Sequence, residues 1–336
     1  MKNDSKDDTK RDRHGLIKIS VILVSLFAGL AIAETGLRLF FADSLGVVLN
    51  DERGVVYRYD PELGWFPKEN LDTIFDGAAR RIHVKSNSLG FRDIEHKVDE
   101  RPVILFLGDS FVWGYDVEAE ERFTERLREK MPGWNILNLG VSGYGTDQEL
   151  LLLKKYIGFY KPKVVFLVIC VGNDLHDNAS NMRYGYFKPY FDLSEKGMVL
   201  KGVPVSKNLT YFVRNHPMLS RLWTLRLVRV ALYPRLVFND DPNAREIINI
   251  GKKNPTLHLL REMKKVADLH GARFFVGLEQ PHREIEASLD ADGIPYTQLF
   301  TIDRYMADGI HWTPEGHLKV AEMIHQFLSD KGIGRR

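Results

Sequence analysis

Three side chains in this sequence carry the chemistry of acyl transfer if the fold brings them together: Ser110 in LFLGDSFVWG, and Asp308 and His311 in MADGIHWTPEGH. A serine hydroxyl is a weak nucleophile until a neutral imidazole accepts its proton. A carboxylate on the far ring nitrogen fixes the tautomer and stabilises the imidazolium that forms. Asp308 precedes His311 by three residues, a spacing that lets the carboxylate reach the ring when the segment makes one helical turn. Ser110 follows an apolar run, where a strand hands over to a helix, and backbone N–H groups at such a junction point outward toward a developing oxyanion. Each piece also has a plainer reading, Ser110 as a helix cap and the Asp308–His311 pair as a solvated turn. Whether the three converge depends on the elements that carry them.

Those elements are legible from residue 102 onward. Apolar runs at 103–108, 135–140, 163–172, 272–280 and 295–300 alternate with amphipathic stretches at 118–131, 146–160, 256–269, 282–290 and 314–330. Strands apolar on both faces that alternate with helices predict a parallel sheet covered on both sides, an α/β fold of three α/β/α layers with five strands. Active sites in such sheets lie at the carboxyl ends of the strands. The polar residues expected there are Asp109 and Ser110 after the first run, Ser142 and Gly143 after the second, and Asn173 and Asp174 after the third.

Four blocks now stand in order: Gly108-Asp109-Ser110, Gly140-Val141-Ser142-Gly143, Gly172-Asn173-Asp174 and Asp308-Gly309-Ile310-His311. Together they resemble the signature of the SGNH (GDSL) hydrolase superfamily, over residues 102–330 with 176–254 set apart as an insertion. The resemblance implies a flavodoxin-like sheet, Ser110 as nucleophile, His311 as general base and Asp308 as its orienting partner. It also implies an oxyanion hole made of the Ser110 and Gly143 backbone N–H groups and the Asn173 amide. The Gly-x-Ser-x-Gly elbow is absent, because Val112 and Tyr144 stand where its second glycine would fall, which argues against an α/β-hydrolase. Phe111 replaces the leucine of the family's name motif.

The implied activity is hydrolysis of carboxylic esters through an acyl-serine intermediate, with O-acetyl groups on exported polysaccharide as the leading substrate and lipid esters second. Discharge of the acyl group to a sugar hydroxyl would make an O-acyltransferase. A polysaccharide-binding protein without catalysis is a third reading. No cofactor is called for, and His311, His317, Asp308 and Glu315 match no standard metal spacing. A net charge of +2 over 47 basic and 45 acidic residues argues against a nucleic-acid partner. The single cysteine, Cys170, excludes an internal disulfide.

The N-terminus adds an address. Residues 16–33 are apolar but for Lys18, Ser20 and Ser25, and eighteen helical residues span about 27 Å, close to a bilayer core of roughly 30 Å. Lys10, Arg11, Arg13 and Lys18 crowd the leading flank, so residues 1–15 are expected as a cytoplasmic tail, 16–41 as a single-pass signal-anchor, and the catalytic domain outside, in a periplasm if the cell is bacterial. Ala31-Ile32-Ala33 alternatively fits a cleavage site that would release a secreted form. Residues 43–100, punctuated by glycine and proline as in DPELGWFPKEN, read as a linker with short strands. Within the insertion, 189–205 reads as a hairpin about Glu195 to Gly197, its aromatics as a satellite core. The basic stretch 219–235 reads as a helix packed over the domain with solvated arginines, with a membrane-surface position as the alternative.

Overall fold

The computed structural model describes residues 4–41, 52–96, 99–194, 197–216, 218–225, 227–228, 254–307 and 309–334. The five apolar runs become five strands: β1 (Val103–Leu107), β2 (Asn135–Asn138), β3 (Val164–Ile169), β4 (Arg273–Leu278) and β5 (Tyr296–Gln298). They form one sheet in the order β5-β4-β3-β1-β2, with every pairing parallel. Alternation along β1 shows why both faces must be covered. Ile104 and Phe106 pack with Phe123 and Leu127 of helix Phe123–Lys130 and with Val320 and Ile324 of helix Pro314–Asp330. Leu105 and Leu107 face the opposite layer, where helices Thr146–Tyr160 and Thr256–Leu269 supply Leu150, Leu153, Leu259 and Met263. Each such side chain removed from water contributes about 1.5–3 kcal/mol, so the sheet is held from both sides.

The chain runs from β1 to β2 on one side and then crosses to β3 on the other. This reversal opens a crevice at the carboxyl ends of β1 and β3, the place where doubly wound sheets bind ligands. After β3 a helix outside the expected amphipathic stretches, Val171–Asn178, begins almost as soon as the strand ends. Its Cys170 N-cap makes no side-chain hydrogen bond, so no capping signal marks the junction in the sequence.

Residues 52–96 differ from a linker. They do contain short strands, Tyr57–Asp60 with Gly64–Pro67 and Asp72–Asp76 with Arg81–Lys85, each pair antiparallel. These hairpins are built into the main core: Trp65, Phe66, Phe75 and Phe91 are buried in the same cluster as Leu105 and Leu153. In the insertion the expected hairpin is Tyr190–Ser194 with Gly197–Lys201, and Tyr186 and Phe191 join the main core. The helix expected at 219–235 falls partly on Arg226, Arg229 and Arg235, which lie outside the described residues. Among the described residues one helical stretch, Gly15–Phe40, is long and apolar enough to cross a membrane, and none of its apolar window is buried.

Candidate active site

Asp109 and Ser110 follow β1 directly. Asp109 is the N-cap of helix Ser110–Trp113, its Oδ1 accepting the Phe111 N–H at 3.0 Å, so Asp109 does the capping and leaves the serine hydroxyl free for other work. Ser110 Oγ lies 2.8 Å from His311 Nε2 and 3.5 Å from Asp109 Oδ2. The shorter contact is the real hydrogen bond, because such bonds weaken steeply beyond about 3.2 Å. Nucleophile and base candidates 201 residues apart are thus brought together. Asp308 lies outside the described residues.

Of the expected oxyanion donors, Asn173 approaches the Asp109–Ser110 pair most directly. Asn173, in the first turn after β3, reaches Asp109 Oδ2 with its Nδ2 at 3.4 Å. Gly143 sits in the loop after β2 with φ of +78°, a conformation glycine adopts without strain. Among the described residues neither the Ser110 nor the Gly143 N–H donates to a backbone carbonyl. The glycine before that loop is a matter of space: a Cβ on Gly140 would stand 2.4 Å from the Trp113 nitrogen, so only glycine lets β2's exit loop lie against the serine's helix.

Much of what holds this geometry comes from residues 52–96. Tyr57 Oη accepts the Ser142 N–H at 3.0 Å, Trp65 Nε1 donates to the Ser142 carbonyl at 3.3 Å, and Tyr144 Oη donates to the Trp65 carbonyl at 2.6 Å. The first hairpin therefore grips the loop that carries Gly143. Buried Arg92 donates to the carbonyls of Gly114 at 2.6 Å and Val117 at 2.8 Å and stacks on Trp113, pinning the exit of the serine's helix. Burial pulls its pKa down to about 9.

The histidine loop has its own clamp. Arg304 donates to the Ile310 carbonyl at 2.7 Å and pairs with Glu279, which follows the end of β4. Tyr115 stacks on the His311 ring at 4.5 Å between centroids. Neither Arg304, Glu279 nor Tyr115 belongs to a motif, and only their position after a strand end or beside the Gly-Asp-Ser block hints at them. His317 stands elsewhere: it is buried, and its Nδ1 accepts the Phe123 N–H at 3.3 Å. Burial pulls its pKa down to about 3, which keeps it neutral and structural. Among the described residues no group of three or more histidine, cysteine or acidic side chains is arranged to hold a metal ion.

Beneath the site Asp109, Asp147, Glu149, Asp174 and Asp177 are all buried. Lys188 pairs with Asp147, and Arg183 with Asp177 at 2.9 Å. Neither carboxyl oxygen of Glu149 has a hydrogen-bond partner among the described residues. Burial, then the nearby Asp174 and Asp109, raise its pKa well above the usual value of 4.5. The sign of the stability effect follows. Above the unfolded pKa of 4.5 the unfolded chain releases this proton while the folded chain keeps it, so Glu149 lowers stability as pH rises, by at most about 1.4 kcal/mol per unit. Glu149→Gln keeps the shape and removes the titrating group. Its thermal unfolding should match wild type near about pH 4 and exceed it increasingly toward about pH 8; a gain of the same size at both ends would show that Glu149 does not hold a proton in the fold.

Residues 104–324 match the GDSL-like lipase/acylhydrolase family. That is more than half of the chain, and the protein belongs to this family, within the SGNH hydrolase superfamily. It is accordingly a serine hydrolase acting on ester bonds. Similar solved structures include TesA, 13% identical over 68% of this chain and 98% of that one, with a TM-score of 0.39. The psychrotrophic esterase EstA from Pseudoalteromonas sp., in a form inhibited by monoethylphosphonate, is 11% identical over 68% of this chain and 97% of its own, with a TM-score of 0.40. A member of the lipolytic G-D-S-L family from Veillonella parvula DSM 2008 is 12% identical over 68% and 98%, with a TM-score of 0.39. No curated protein sequence matches the chain.

Proposed function

We propose that this protein is a membrane-anchored, extracytoplasmic esterase that removes O-acyl groups, O-acetyl foremost, from exported or cell-envelope polysaccharide, with Ser110, His311 and Asp308 as its catalytic residues. The observation that carries the catalytic assignment is the 2.8 Å contact between Ser110 Oγ and His311 Nε2. As Oγ bonds to the ester carbonyl carbon, Nε2 takes the hydroxyl proton and Asp308 steadies the imidazolium. The charge arriving on the carbonyl oxygen meets the Ser110 and Gly143 N–H groups and the Asn173 amide, each donor worth roughly 3 kcal/mol in the transition state. Collapse breaks the bond to the alkoxy oxygen, which leaves with the proton from His311. Water then repeats the sequence: His311 takes its proton, the acid departs, and Oγ recovers its hydrogen.

The outward location is supported by the exposed apolar helix Gly15–Phe40 and by the basic residues that precede it. One experiment tests nucleophile and address together. Spheroplasts holding the protein are treated with a charged fluorophosphonate that does not cross membranes, and the adduct is mapped by mass spectrometry. Ser110 should be phosphonylated in intact spheroplasts, and Ser110→Ala should take up no label. Labelling only after lysis would reverse the topology, and an adduct elsewhere would remove Ser110 from the reaction.

A further inference from the structure

The apolar helix is not a bare tether, because its outer end is bonded to the insertion. Glu34 accepts hydrogen bonds from the backbone N–H groups of Trp223 at 3.0 Å and Thr224 at 2.9 Å, from Thr224 Oγ1 at 3.1 Å, and from Arg38 Nε at 2.7 Å. Arg38 in turn donates to the Arg221 carbonyl at 2.5 Å and lies over the Trp223 ring at 5.6 Å. Two segments almost 190 residues apart are therefore joined at one level of the helix.

That level has a depth. Counted from Gly15, Glu34 lies about 28 Å along the helix axis at 1.5 Å per residue, which is the thickness of a bilayer's hydrocarbon core. Glu34 and Arg38 thus stand at the outer boundary, where a carboxylate with four donors and an arginine on a tryptophan ring are at home. On both sides of that level, Leu30, Ala33, Leu37 and Phe40 of the helix and Leu227 and Val228 of the insertion line an apolar groove of about 470 Å³. On the same part of the insertion, Leu209 is 77%, Phe212 58% and Met218 73% exposed. Water is a poor solvent for such side chains, and the exposed Lys207 and Arg221 flank them with the charge that anionic headgroups attract.

From the shared depth, the groove and the exposed apolar side chains, we infer that insertion residues 209–216, 218–225 and 227–228 form a second membrane-binding element, seated in the outer leaflet beside the anchor, with lipid acyl chains entering the groove. This rests on the anchored reading given above. The element continues into the domain through Tyr211, whose ring packs edge-on against Tyr59 of the first hairpin at 5.3 Å. Anchor, insertion and hairpin then fix which side of the catalytic domain faces the bilayer.

The test uses the full chain in vesicles of phosphatidylethanolamine and phosphatidylglycerol. Single cysteines replace Phe27, Phe212, Met218 or Glu322 in a Cys170→Ser background and carry a nitroxide; ester hydrolysis by each labelled protein reports an intact fold. Labels at Phe27, Phe212 and Met218 should be relaxed mainly by oxygen, as in lipid, and the label at Glu322 mainly by a water-soluble nickel chelate. Nickel access at Phe212 and Met218 with oxygen access at Phe27 would overturn the inference and leave the anchor standing. Nickel access at Phe27 would remove both. Dipolar broadening at Met218 would show a second copy of the chain in place of lipid and would also overturn it.

Discussion

Ser110→Ala is expected to lower hydrolysis of p-nitrophenyl acetate by at least about a thousandfold while the protein stays folded. The substitution removes one oxygen from a nearly buried site and leaves the Asp109 cap and the Trp113 helix end in place. Its structural cost is the loss of one hydrogen bond to His311, about 1 kcal/mol. Its chemical cost is the acyl-enzyme itself. The oxyanion donors and the binding cleft survive, so residual turnover above the uncatalysed rate is part of the expectation. Circular dichroism and the melting temperature establish the fold, and initial rates establish the loss. Undiminished turnover in a folded Ser110→Ala protein would refute the acyl-serine mechanism.

His311→Ala should approach the same loss, and the double variant should be no worse than either single one. Nucleophile and base act as a unit, so once one is gone the other has nothing left to assist. Asp308→Asn should behave differently. An amide cannot stabilise the imidazolium, yet the ring is also held by the Tyr115 stack, and its loop by the Arg304 bond to the Ile310 carbonyl, so measurable turnover should remain. The order of the three rates is the decisive reading. If Asp308→Asn proved as inert as Ser110→Ala while His311→Ala stayed active, the roles of base and orienting acid would have to move to other residues, with Asp109 and Asp174 nearest in the chain to the proposed nucleophile and Asn173.

The parts of this site that a reader of the sequence can find are those with local signals. Continuous apolar runs marked the five strands, and helices Thr146–Tyr160, Thr256–Leu269 and Pro314–Asp330 lie where their periodicity puts them. Gly-Asp-Ser, the Asn173 turn and the His311 loop were visible because strand ends and short motifs are local too. The supports of the site were not. Tyr57, Trp65 and Arg92 act across 21 to 85 residues on groups that only the folded sheet presents, and nothing in their neighbours' spacing announces it. Residues 52–96 looked like a linker because strands of four or five residues are too short to show a clear periodicity, although their aromatics lie in the main core. The buried carboxyls were hidden for a related reason: acidic residues on helices usually face water, and only the packing of Thr146–Tyr160 against Val171–Asn178 turns them inward.

The hairpin's grip on the Ser142–Tyr144 loop has a consequence for the order in which the chain is made. Ribosomes deliver the hairpin first and its partner loop 77 to 85 residues later, a delay of about 4 to 17 s at ordinary synthesis rates of roughly 5–20 residues per second. During that interval Trp65, Phe66 and Phe75 emerge with no core to enter. The nascent segment is thus a natural client for a chaperone that shields apolar surface. On the proposed roles, catalytic competence arrives later still, since His311 follows Ser110 by 201 residues, and a chain caught partway through synthesis lacks its base.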